Sequence, residues 1–219
     1  MRFDIKGNPS YGEVDVELGP NETILIEPGA MSRMSSNMTS SFQRQGGFFS
    51  AIFRKMFGGE SFFLGKYEHP DGGKLTFAPS IPGHVENRQL TNNSLKIMAG
   101  SFLACTPGVN IKAEFGGLKA FFSGEGAFLL EASGSGELFF NSFGGIVKKE
   151  INGEFIVDTG HVVAFDPSLD YSITGMGNFK STMLSGEGLV MKFRGNGTLY
   201  LQTRNVSSVA SWLTPRLLG

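Results

Sequence analysis

The chain of 219 residues contains a single cysteine, Cys105, so no disulfide can close within it and a disulfide-stapled scaffold is excluded. Cys105 sits in the apolar run Phe102-Leu-Ala-Cys105 with no histidine or cation beside it in sequence, which reads as a buried structural thiol. Histidine is equally scarce. A cupin metal site needs two histidines one residue apart, a glutamate and a further histidine, whereas His69, His84 and His161 are scattered and Gly83-His84-Val85-Glu86 supplies one. No run approaches the roughly 20 apolar residues that span a bilayer. Neither sign of charge prevails: the net charge is −1, so nothing draws the whole chain to nucleic acid, and Lys148-Lys149 is too small a basic patch to do so. P-loop, Gly-Xaa-Ser-Xaa-Gly and HExxH patterns are absent. These gaps lead to the expectation of a protein that is not an enzyme and needs no cofactor or metal. The opening MRFDIKGNPSYG has neither a signal-peptide core nor an amphipathic presequence, from which a cytoplasmic location is expected.

Glycine and phenylalanine are abundant instead, 31 and 21 residues, which without a collagen period points to many short strands joined by tight turns. One pattern recurs. Ser123–Phe143 (SGEGAFLLEASGSGELFFNSF) is written again over Ser185–Thr203 (SGEGLVMKFRGNGTLYLQT) and more loosely over Gly58–Ala78. Each reads as Gly-Glu, an apolar run, a glycine turn and a second run, hence as a hairpin whose Gly134-Ser-Gly136 or Gly195-Asn-Gly197 makes the turn. A second pattern places a turn residue seven positions before a proline: Asn21 and Pro28, Gly100 and Pro107, Gly160 and Pro167. The two alternate three times, giving repeats of about 1–83, 84–146 and 147–205 and a tail over 206–219. On the proline spacing the first repeat carries about a dozen extra residues between Met38 and Phe57.

Arg2–Ile5 and Val14–Leu18 alternate as half-buried strands. Adjacent phenylalanines (62-63, 121-122, 139-140) point to opposite faces of a strand, so both faces of these strands are expected to be covered. The tail, with Val206, Val209, Ala210 and Leu213 behind a capping Asn205, predicts a short helix packed on the sheet and ended by Pro215, with Trp212 as a packing residue.

Together PGAMSRM (28–34), GGESFF (58–63), SGEGAFLL (123–130), VDTGHVVAF (157–165) and SGEGLVMKFRGNGTLYLQTR (185–204) resemble bacterial relatives of the mitochondrial-biogenesis protein family. The resemblance implies an all-β protein of the double-stranded β-helix class. It implies three tandem units like the tryptophan RNA-binding attenuation protein fold. Taken with the residue patterns, the expectation is a single domain of three repeats in a pseudo-threefold arrangement, with one short inserted helix and one short C-terminal helix. It brings no activity and no catalytic residue.

Two groups are candidate contact residues. Phe48, Phe49, Ile52, Phe53, Met56 and Phe57 make one apolar stripe if 46–59 is helical, with Arg54 and Lys55 opposite. That segment is a plug on the β assembly, a membrane-surface helix or a docking helix. Glu60, Glu125 and Glu187 share one place in each repeat; they either converge on a cation or each accept hydrogen bonds in their own turn. The expected function is binding or scaffolding, through self-assembly as an oligomer, a protein partner or a membrane surface. The alternative is RNA or small-ligand binding in grooves between repeats, with nucleic acid the less expected ligand.

Overall fold

The computed structural model describes residues 1–44, 63–114, 129–175 and 189–217. Fifteen strands are followed by one helix among them. The first segment contains β1 (Arg2–Lys6), β2 (Glu13–Leu18), β3 (Thr23–Ile26), β4 (Met31–Met34), β5 (Thr39–Arg44), β6 (Phe63–Glu68) and β7 (Gly73–Phe77). The second contains β8 (Val85–Met98), β9 (Phe102–Cys105), β10 (Val109–Glu114) and β11 (Leu129–Asn141). The third contains β12 (Ile146–Asp158), β13 (Val162–Phe165), β14 (Leu169–Gly175) and β15 (Leu189–Gln202), and α1 (Val206–Leu217) closes the chain.

One pairing scheme recurs. In the second segment the long last strand β11 pairs antiparallel with β8, β9 and β10; in the third, β15 pairs with β12, β13 and β14. The registers correspond: Val85 faces Asn141 as Ile146 faces Gln202, and Val109 faces Gly134 as Leu169 faces Gly195. In the first segment both long strands are broken, one into β2 and β3, the other into β6 and β7. Their pieces still pair β2 with β7, β3 with β6, β4 with β7 and β5 with β6. The bulged register of β4 on β7 (Met31 on Phe77, Arg33 on Thr76, Met34 on Leu75) is that of β9 on β11 (Phe102 on Phe140, Ala104 on Phe139, Cys105 on Leu138).

This register corrects two expectations from the proline spacing. β4, not the Asn21–Pro28 run, is the counterpart of β9 and β13, while β3 stands in for the second half of β8. The dozen-residue insertion shrinks as well: 18 residues separate β5 from β6, against 14 between β10 and β11 and 13 between β14 and β15, an excess of only four or five.

A third correction concerns the glycines. Gly134–Gly136 and Gly195–Gly197 lie inside the single strands β11 and β15, and β6 and β7 do not pair with each other, so none of the three is a hairpin. Gly134 has φ +121° and Gly195 φ +125°, and a Cβ on either would press on a carbonyl oxygen, of Gly108 and Ser168 respectively. The glycines let a long strand pass close under a neighbouring turn of backbone, where a Cβ would have no room.

The layers explain the continuous apolar runs. In β3, Ile24 and Ile26 face one core with Val14, Val16, Leu75 and Phe77, while Leu25 faces another with Leu95, Ile97 and Leu130. β13 divides likewise: Val162 and Phe165 join a third core with Met191 and Phe193, and Val163 and Ala164 join the second. Strands buried on both faces read as uninterrupted hydrophobic stretches. Phe139 and Phe140 show the expected split, both fully buried in different cores.

The helix forms as the sequence predicts but does not pack. Asn205 Oδ1 accepts the amide of Ser207 at 2.9 Å, capping the N-terminus. Pro215 lies inside the last turn rather than beyond it, and no residue of α1 is buried.

Candidate functional site

Three surfaces stand out. The first is a groove of about 670 Å³ on the outer face of the sheet ordered β1-β2-β7-β4. Alternation along these strands sends Val14, Val16, Leu75 and Phe77 inward and Asp15, Glu17, Lys74 and Thr76 outward. Arg33 forks onto Glu13 at 2.8 and 3.0 Å and reaches Asp15 at 3.0 Å; Lys6 and Thr76 also donate to Asp15. These donors hold the Asp15 carboxyl down at about 2. The groove is charged but internally paired. Its residues come from four separate stretches, and the sequence signal in three of them is the period-2 alternation of polar positions in RFDIK, EVDVEL and GKLTF.

The second surface is α1. Val206, Val209, Leu213 and Leu217 run along one side and are 47, 41, 40 and 71 % exposed. Trp212, expected to pack, is 59 % exposed, with the Arg216 guanidinium 4.3 Å above its ring. The helix is anchored where Asn205 Nδ2 donates to Asp158 Oδ1 at 3.2 Å, beside the end of β12.

The third surface consists of two strand edges. β12 pairs only with β15 and β4 only with β7 among the described residues, although every counterpart of β4 has partners on both sides. Ile156 on β12 is 57 % exposed, and Met31 and Met34 on β4 are 36 and 43 % exposed.

The contact residues Phe48, Phe49, Ile52, Phe53, Arg54 and Lys55, and the glutamates Glu60, Glu125 and Glu187, lie outside the described residues. Among the described residues no three metal-ligating side chains come together, and no helix is long and apolar enough to cross a membrane. His84 does meet Glu86, at 3.2 Å, and Glu86 also holds Lys148. Cys105 is fully buried, which pushes its thiol up to about 12.

One half-buried carboxyl has a measurable consequence. Glu27 follows β3, its amide bound to Leu103 O at 2.8 Å, and burial pushes its carboxyl up from 4.5 to about 7. Below 4.5 both folded and unfolded chains keep the proton. Between 4.5 and 7 only the unfolded chain releases it, so this group makes stability fall as pH rises through that window and leaves it lowered above. Glu27→Gln is therefore expected to be more stable than the wild type at pH 8 and nearly equal at pH 4. Urea midpoints at the two pH values check this; a pH-independent difference would contradict it.

The sequence profile of the family described as Mitochondrial biogenesis AIM24 matches residues 3–204. An uncharacterized protein of Streptococcus pyogenes serotype M6 is 32 % identical over 222 residues, covering 97 % of this chain and 90 % of its own. The X-ray crystal structure of a Streptococcus pyogenes protein matches with a TM-score of 0.81 at 31 % identity, over 98 % of this chain and 99 % of the other. A profile spanning nearly the whole length, with relatives above 30 % identity along it, places the chain in the mitochondrial biogenesis AIM24 family.

Proposed function

We propose that this protein is a non-enzymatic binding or scaffold protein, built from three copies of one attenuation-protein-like β unit and acting through surfaces that associate with other molecules. The observation that carries this reading is α1: a capped helix with an apolar stripe and no buried residue. A helix gains most of its stability from packing its apolar face, so a stripe left exposed among the described residues suits docking. Its partner is a second protein surface or a membrane interface; Arg216 is its one cation, which gives it little of the basic face that surface helices use on anionic lipid.

Val209→Glu combined with Leu213→Glu tests the reading. Both positions are exposed, so the unfolding free energy is expected to change by less than about 1 kcal/mol. Self-association followed by light scattering, or flotation with liposomes, is expected to weaken markedly. Unchanged behaviour in both assays would remove the helix from the account.

The groove favours a second reading, small polar ligands, over RNA. It carries Arg2, Lys6, Arg33 and Lys74 against Asp4, Asp15 and Glu17, a balance that suits a zwitterionic molecule better than a polyanion.

A further inference from the structure

The three segments are joined by one kind of contact, used twice. At the first joint β9 of the second segment lies against β3 of the first, with Leu25 facing Cys105 and Ile26 facing Ala104. At the second, β13 of the third segment lies against β8 of the second, with Lys96 facing Phe165 and Ile97 facing Ala164. Each joint fuses part of one segment's sheet to part of the next, antiparallel and edge to edge. In each, a short strand enters beside the second half of a long one.

A succession of three segments joined this way leaves two halves unused. Among the described residues the first segment keeps its short strand, β4, with one side unpaired, and the third keeps its long strand, β12, likewise. The registers identify the vacant positions. On β12, Ile156 faces Lys192 as Lys96 faces Glu131 on β8, so Ile156 and Val157 correspond to Lys96 and Ile97, the residues that receive β13. On β4, Arg33 and Met34 correspond to Ala104 and Cys105, the residues of β9 that enter the first joint. We infer that copies of this protein associate head to tail, β4 of one copy pairing antiparallel with β12 of a second copy and repeating the internal joint.

The exposed side chains fit. The register sets Met34 opposite Ile156 of the second copy, bringing together apolar groups that are 43 and 57 % exposed in the single chain. Neither strand contains proline, and among the described residues each pairs on one side only, leaving an edge that a neighbour can join. The cap of α1 is held at Asp158, at the end of β12, so the helix starts near the same contact. This inference deepens the self-assembly branch of the reading above, yet its residues are distinct from those of α1, so Val209→Glu/Leu213→Glu and the variants below fail or succeed separately. A heterologous contact of this kind generates rings or open chains rather than a two-fold dimer.

That asymmetry supplies the test. Met34→Asp spoils the β4 half and leaves β12 intact; Ile156→Asp does the reverse. Sedimentation velocity of the wild type is expected to show concentration-dependent species above the 23.6 kDa monomer. Each variant alone is expected to associate at least about tenfold more weakly. Mixed in equal amounts, they are expected to form a heterodimer and nothing larger, since one good half of each kind remains. A monomeric wild type, variants that assemble like the wild type, or a mixture that stays monomeric would each overturn the inference. As a measurement independent of those variants' folding, a Met34→Cys chain oxidised with an Ile156→Cys chain is expected to give a disulfide-linked pair, because opposed residues of antiparallel strands lie within bonding reach. Cys105 is buried and stays out of the reaction. Failure of that cross-link would also count against the joint.

Discussion

Phe139→Ala is expected to lower the free energy of unfolding by about 3–5 kcal/mol. The ring is fully buried and meets Phe3 edge to face at 5.0 Å and Phe77 at 5.6 Å, so it belongs by sequence to the second segment and by packing to the first. Removing it leaves a cavity between β11 and the sheet carrying β1, β2, β7 and β4, where close-packed strands cannot collapse to fill it. Its neighbour Phe140 points the other way, onto Tyr200 of the third segment at 5.2 Å. Two adjacent side chains thus tie the middle segment to both others. Urea titration with linear extrapolation measures the loss, and one below about 1 kcal/mol would mean the layers are not held together through this ring.

Gly134→Ala is expected to cost roughly 2–5 kcal/mol, and Gly153→Ala no more than about 1–2 kcal/mol. Both glycines have positive φ, +121° and +108°, so both substitutions carry backbone strain. They differ in surroundings. A Cβ on Gly134 would overlap the Gly108 carbonyl oxygen and lie 3.7 Å from Val109 Cα, backbone that no rotamer change can move aside; a Cβ on Gly153 meets nothing within 4 Å. If Gly134 were a hairpin turn, the two penalties would be alike. Equal losses in paired thermal melts would therefore contradict the description of Gly134 as a point of close backbone approach within a strand.

That contrast shows what the sequence conveyed and where it misled. Glycine-Xaa-glycine between β-rich runs suits a turn, but it equally suits a strand passing close under another backbone, because both exclude a Cβ. Local pattern cannot separate the two; the distance to Gly108 can. Runs such as TILI, FLAC and VVAF were legible as strands, and burial on both faces is why their polar alternation is missing. The Phe139-Phe140 pair carried the same message correctly. The helix was legible from Asn205 and the spacing of Val206, Val209 and Leu213, yet an apolar stripe says only that a face exists to be covered. The proline spacing aligned β3 with β9, where the pairing aligns β4, because a proline ends many strands whatever their place in a sheet. The groove was least legible: Arg2, Asp15, Arg33 and Thr76 meet only through the strand order β1-β2-β7-β4, a property of pairing rather than of any one stretch.

The head-to-tail joint is tested most directly by amide hydrogen exchange at the two edges, read as a function of protein concentration. Protection over Met31–Met34 and over Ile156 and Val157 is expected to rise together as concentration rises, while the amides linking β9 to β3 stay protected throughout. Exchange at both edges that is the same from dilute to concentrated protein would contradict it.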